Sequence, residues 1–239
     1  MLIDAGLPGR EIERRMGLAG LAPTSVRAVV LTHEHRDHSS GVGVWARRYG
    51  VPVYMCAGVE RVYESVCGNG ALAKVEVHSF EPGEPFEVAA LEFTPFQTSH
   101  DSIRSVGFTI SDGVSTLGFV TDLGVATPLV AAMLKGADAL LLESNHDVGM
   151  LETGPYPPFL KKRIRSREGH LSNDESAALL GVLLHERLKA VVLAHLSETN
   201  NQPLLAYRGA LEVLKRNEAE ADVQLLVARS DRPGTILSL

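Results

Sequence analysis

Apolar residues recur along the chain in two rhythms. Short unbroken runs, VRAVVLT (26–32), VPVYMC (51–56), ADALLLE (137–143), AVVLAH (190–195) and VQLLVA (223–228), are of the kind found in strands covered on both faces. Between them the spacing turns helical. GREIERRMG (9–17) sets Ile12 and Met16 four apart on one face. Residues 172–188 open on a capping box, Ser172 with Glu175, and carry Leu179, Leu180, Leu183 and Leu184 on the apolar side. Further helices are expected over 40–49, 57–66, 127–135, 158–167 and 203–216. From 75 to 121 the rhythm changes to short strands, VEVHSF, PFEVAALEFTPFQT, VGFTISDG and STLGFVTD, with Ser111–Ser115 as a hairpin connection. The opening MLIDAG reads as the end of a strand and the turn out of it, so a further strand is expected upstream.

Strands that alternate with helices on this scale predict an α/β fold, and 239 residues at 45% hydrophobic suffice for one substantial core. No internal repeat or low-complexity linker interrupts the pattern, so residues 1–239 are read as a single domain. A formal net charge of −6 gives no general attraction to nucleic acid or an anionic membrane. Any such partner needs a local basic patch. Two cysteines, Cys56 and Cys67, in no ligand-like spacing suggest a reducing cytoplasm. No apolar run approaches the length of a membrane span, and the first residues do not resemble a secretion signal. A cytoplasmic protein is expected.

The chemistry starts at His33-Glu34-His35-Arg36-Asp37-His38, where three of the chain's nine histidines fall within six residues directly after an apolar run. In extended chain His33 and His35 point the same way, and a turn after them brings Asp37 and His38 to a second point nearby. Imidazole mixed with carboxylate suits Zn, Mn or Fe and leaves coordination positions open, unlike an all-thiolate structural site. A helix opening at Ser40 would turn free N–H groups toward an anionic substrate. His100, Asp122 and His195 each follow an apolar strand, where α/β proteins gather their ligands. His78 and His185 have no companion motif and read as structural.

With HxHxDH at 33–38 followed in order by His100, Asp122 and His195, the chain resembles the metallo-β-lactamase superfamily over nearly its whole length. The stretches LIDAGL, LTHEHRDHSSGV, LLLESNHD, GHLSN and LAHLSETNN are most similar to its YycJ/WalJ-type branch, whose members are exonucleases acting on DNA. The resemblance implies an αββα sandwich, here without the strand and loop that usually precede LIDAG. It implies two divalent ions, Zn or Mn, with Fe as a further option. His33, His35 and His100 would hold one and Asp37, His38 and His195 the other, with Asp122 between them. Two such cations generate hydroxide near neutral pH and neutralise charge developing on phosphorus. Asp37 would help orient that hydroxide.

The leaving oxygen also needs a proton. His170 in GHLSN resembles the histidine that in tRNase Z-type relatives works with a glutamate, here matched by Glu143. His170 is therefore the expected proton donor and Glu143 the group that fixes its tautomer. Lys161-Lys162-Arg163-Ile164-Arg165-Ser166-Arg167 places five basic residues in seven. Lys161, Lys162, Arg163 and Arg165, with Ser40 and Asn145, are the expected substrate contacts, the basic run on the phosphate backbone. Tyr156 and Phe159 offer stacking faces, and His146 and Asp147 are further candidates for metal or substrate. The leading expectation is a 5'-to-3' DNA exonuclease. Two alternatives stay open: a hydrolase of a small ester, thioester or cyclic phosphodiester, and a non-catalytic metal-binding module.

Overall fold

The computed structural model describes residues 1–239, which form two compact units. The first comprises Met1–Pro95 with Ser102–Val106, the second Phe96–Asp101 with Gly107–Leu239.

The first unit is built on a parallel sheet in the order β1-β2-β3-β4, from β1 (Leu2–Ile3), β2 (Val29–Val30), β3 (Val53–Cys56) and β4 (Val77–Phe80). Parallel strands need crossovers, and these are α1 (Gly9–Leu18), then the four-residue α2 (Arg36–Ser39) with α3 (Val42–Tyr49), then α4 (Val59–Cys67). Ile12 and Met16 are the buried face of α1, as their spacing predicts. The helix expected from residue 40 instead begins as α2 inside the histidine motif, and Gly41 separates it from α3. PFEVAALEFTPFQT is not one strand. It folds into a hairpin of β5 (Phe86–Val88) and β6 (Leu91–Gln97), pairing Val88 with Leu91. Ala89 and Ala90 take left-handed φ values of 50° and 67°, the turn geometry that glycine or asparagine usually supplies.

β7 (Val106–Ser111), which belongs to the second unit from Gly107 on, and β8 (Thr116–Val120) form the expected hairpin. The chain then passes through α5 (Pro128–Leu134), β9 (Ala139–Glu143), α6 (Val148–Thr153) and α7 (Pro158–Ile164). It finishes with α8 (Asn173–Leu183), β10 (Ala190–Ala194), α9 (Pro203–Arg216) and β11 (Gln224–Val227). β8, β9, β10 and β11 lie side by side in parallel, and β7 closes the hairpin beside β8. Leu140, Leu142, Val191 and Leu193 from the sheet pack with Leu179, Leu180 and Leu183 of α8 and Leu214 of α9 in one apolar core.

The capping box is present, with Ser172 and Glu175 each bonded to the other's backbone. Helix α8 stops at Leu183, short of residue 188, because Leu184 turns extended toward β10. Helix α7 likewise stops at Ile164 and not at residue 167, since the chain folds back and the His170 N–H takes the Ile164 carbonyl at 2.9 Å. That reversal needs Gly169, where a Cβ would stand 2.1 Å from the same carbonyl oxygen.

Candidate metal centre

In the first unit the histidine loop runs from the end of β2 into α2. His35 is the last extended residue (φ −58°, ψ 144°), and Asp37 and His38 lie on the helical turn after it. The expected change of direction is therefore α2 itself. Ring centroids of His33 and His35 are 4.7 Å apart, those of His33 and His38 4.3 Å, and Asp37 Oδ2 lies 3.6 Å from His38 Nε2.

What orients these rings is Asp4, which lies in the LIDAGL stretch but is not among the residues expected to serve the site. Parallel pairing of β1 with β2 carries Asp4 to within one residue of Thr32. Its carboxylate accepts from the Thr32 N–H and the Thr32 hydroxyl, both at 2.8 Å, and from His38 Nδ1 at 2.7 Å. Because the Thr32 hydroxyl proton goes to Asp4, its oxygen is left to accept from His33 Nδ1 at 3.0 Å. Both imidazoles thus carry their proton on Nδ1 and keep the Nε2 lone pair, which a metal requires. Asp4 sits at φ 61°, a left-handed conformation that aspartate tolerates better than most residues. The turn beyond it packs so closely on the loop that a Cβ at Gly6 would fall 1.5 Å from the Asp37 carbonyl oxygen. The local signals for Asp4 are its place in LIDAGL and its position directly after a two-residue strand. Asp4→Asn is expected to weaken zinc binding by roughly 10–100-fold, the usual cost of losing a carboxylate behind a histidine ligand. Titration of zinc against a chromophoric chelator measures this, and unchanged affinity would remove Asp4 from the site.

In the second unit three parallel strands end together. Val120 of β8 is level with Leu142 of β9, and Glu143 with Ala194 of β10, so Asp122, Glu143 and His195 emerge at one edge. Asp122 and His195 both stand at φ 56°. Glu143 is fully buried and accepts five hydrogen bonds. Oε1 takes Asp122 N (3.2 Å), His170 Nδ1 (2.9 Å) and His195 Nδ1 (2.7 Å), while Oε2 takes Leu123 N (2.9 Å) and Leu171 N (3.1 Å). His100 gives Nδ1 to the Gly169 carbonyl at 3.1 Å. His100 Nε2 and His195 Nε2 lie 3.5 and 3.7 Å from Asp122 Oδ1. Asp122, Glu143, His170 and His195 bring one ligand atom each within 4.8 Å of one another. Glu143 has its acceptor capacity filled by N–H donors, so it serves as the base of this cluster and not as a ligand.

The electrostatics agree. Burial pulls the His100 pKa down, more than the Asp122 charge raises it, and favours the neutral ring. Burial also opposes charge on His170, but the charge and hydrogen bond of Glu143, with Asp122, outweigh it and raise its pKa. Glu143 would be raised by burial alone, yet His170 and His195 hold it at about 2.

The other expected contacts are placed less uniformly. Asn145 donates to the His195 carbonyl at 2.9 Å and so supports the loop that carries that ring. Ser40, exposed at the end of α2, donates to the Arg36 carbonyl. Lys161 clamps the carbonyls of Glu152 (2.8 Å) and Gly154 (2.7 Å), Arg163 pairs with Asp101, and Arg165 pairs with Glu152 at 2.7 Å. Lys162 stands exposed without such a carboxylate. His146 is buried, and Asp147 caps α6 by accepting from Met150 N. His78 stacks on Tyr54, and His185 meets the Ala137 carbonyl.

A family model described as a beta-lactamase superfamily domain matches residues 1–196. The chain belongs to the metallo-β-lactamase superfamily. Exodeoxyribonuclease YycJ of Bacillus anthracis is 34% identical over 215 residues, 90% of this chain and 81% of that protein. Exodeoxyribonuclease WalJ of Streptococcus pneumoniae is 34% identical over 226 residues, 93% of this chain and 81% of that protein. The YycJ/WalJ-like branch indicated by the motifs is thus its place in the superfamily. Among solved structures, the metallo-beta-lactamase fold protein YhfI of Bacillus subtilis matches with a TM-score of 0.68 at 16% identity, over 95% of this chain and 83% of its own. At that identity the likeness is one of fold, the metallo-β-lactamase fold expected from the motifs.

Proposed function

We propose that this chain is a metal-dependent phosphodiesterase of the exodeoxyribonuclease kind, working in the cytoplasm on DNA ends with 5'-to-3' polarity. The names of its relatives support a nuclease, and the donor sets of both units support metal. In this reading residues 1–239 act as one hydrolase domain. His33, His35 and His100 would hold one divalent ion and Asp37, His38 and His195 a second, with Asp122 offered to both. Zinc or manganese fits imidazole and carboxylate donors, and iron is a third option. Bound there, such ions supply hydroxide near neutral pH and offset charge on the phosphoryl group.

The observation that carries the proposal is the shared oxygen of Glu143, which holds His170 at 2.9 Å and His195 at 2.7 Å. The first contact keeps His170 protonated, so its Nε2–H can go to the leaving oxygen. The second aligns a ligand ring. Asp37 orients the attacking hydroxide. Ser40 and Lys162 are proposed as direct substrate contacts, while Asn145 acts through the His195 carbonyl.

Hydrolysis of end-labelled single- and double-stranded DNA and RNA with added manganese or zinc tests the proposal. Shortening of DNA from its 5' end is expected, and no turnover of any of the four with either metal would overturn it.

Lys161, Arg163 and Arg165 already have partners, so the basic run is expected to contribute little more than Lys162 to phosphate binding. Lys162→Ala should lower the slope of log affinity for single-stranded DNA against log salt by about 0.7. A Lys161, Lys162, Arg163 and Arg165 quadruple alanine variant shows whether the paired residues add to it. A slope unchanged in both variants removes the run from the interface.

A further inference from the structure

The loop after β10, LSETNN, is not used by the mechanism above, yet it is among the most firmly built parts of the second unit. Asn201 donates to the carbonyls of Ser144 (2.8 Å) and Asn145 (3.0 Å), and Ser197 N donates to Asn145 O at 2.8 Å. The Asn145 side chain closes the circuit on the His195 carbonyl. This rigid loop forms one side of a cavity of about 460 Å³, and the segment after β11, residues 228–231, forms the other. His195 itself is part of the wall. The volume lies in the range of preformed small-molecule sites, roughly 300–1,000 Å³.

The lining decides what it takes. Leu196, Pro203 and Ala228 are apolar, and Ser197 and Ser230 bring hydroxyls. Arg229 is held by Asp231 through two contacts of 2.9 and 3.1 Å, which offsets its charge and leaves Glu198 to make the lining acidic. Such a wall repels a phosphate. It accepts a neutral body with flat apolar faces and N–H donors at its edge.

We propose that this cavity receives the nucleoside of the nucleotide being released, base and sugar together, and leaves its phosphate at the His195 end. The inference rests on the phosphodiesterase reading for the bond-breaking step, but the binding is measurable without turnover. The walls are set before substrate arrives, so the contribution appears as affinity for the nucleoside portion.

Calorimetry of the manganese-loaded protein with thymidine 5'-monophosphate and with inorganic phosphate is the test. The nucleotide should bind at least tenfold more tightly than phosphate. Ser230→Trp, which fills the cavity from a solvent-exposed segment, should erase that difference, and Ala228→Leu should do the same where the tryptophan variant lowers the melting temperature. Equal affinities in the wild type, or a difference that survives in a folded variant, would overturn the proposal. A wild-type protein that prefers the nucleotide yet hydrolyses no phosphodiester would leave the cavity assigned and sink the catalytic reading instead.

Discussion

Alanine at Asp37 is expected to cut phosphodiester hydrolysis by about 10²–10³-fold, the scale of removing a group poised over a reacting oxygen. The fold should barely register the change. The Asp37 side chain is 69% exposed, so its removal opens no cavity in the core. Alanine at His38 should be as damaging to activity but heavier on stability. His38 is buried, and the Asp4 carboxylate would lose the hydrogen-bond donor of the His38 ring, a cost of about 1–3 kcal/mol. Hydrolysis of labelled DNA by purified variants, set beside their melting temperatures, separates the two effects. Retained activity in a folded Asp37→Ala protein would sink the assignment of the histidine motif as the reacting centre.

Glu143→Ala is expected to have the largest effect on stability of any single substitution at the site. It leaves two imidazoles and three backbone N–H groups facing an apolar gap. Breaking a buried charged cluster from one side costs about 3–5 kcal/mol, which for a chain of this size lowers the melting temperature by roughly 10 °C. Zinc affinity should fall with it, because His195 loses the bond that orients its ring. The pH dependence identifies the cause. Glu143 is held at about 2 against an ordinary 4.5, so its contribution is fully present above pH 4.5 and lost as pH falls toward 2. His170 is raised above 6.5, so its contribution is fully present below pH 6.5 and lost as pH rises through the raised value. The metal-free protein should therefore draw most from this pair between pH 4.5 and 6.5. In thermal melts at stepped pH, Glu143→Ala should show its largest deficit in that window. A deficit independent of pH would mean that packing, and not the charged network, is what was lost.

These networks also mark where sequence reading succeeds and where it stops. The histidine motif, His100, Asp122 and His195 are legible because each follows an apolar strand, and for Asp122 and His195 the register of β8, β9 and β10 brings the strand ends to one edge. Helix α9 and the capping box of α8 are legible because their signals are local. Asp4 is not, since its partners lie 28 and 34 residues away and only pairing of two very short strands brings them near. The hairpin at Ala89–Ala90 leaves no trace because alanine gives no hint of a left-handed turn. The basic run illustrates the opposite failure. Its charge is plain in sequence, but whether Lys161, Arg163 and Arg165 face a substrate or their own chain depends on Gly154, Asp101 and Glu152, which no local pattern connects to them.

The single oxygen of Glu143 that receives both His170 and His195 has a wider meaning. Two rings on one acceptor cannot change state independently. Whatever draws electron density out through Nε2 of His195 makes its Nδ1–H a stronger donor, pulls on the shared oxygen, and alters how tightly the same oxygen holds the proton of His170. By reciprocity, loss of that proton changes how strongly His195 can donate, in the same measure. In the proposed reading, where His195 would hold a metal and His170 would supply the proton, ligand strength and proton supply are thus one equilibrium observed at two ends.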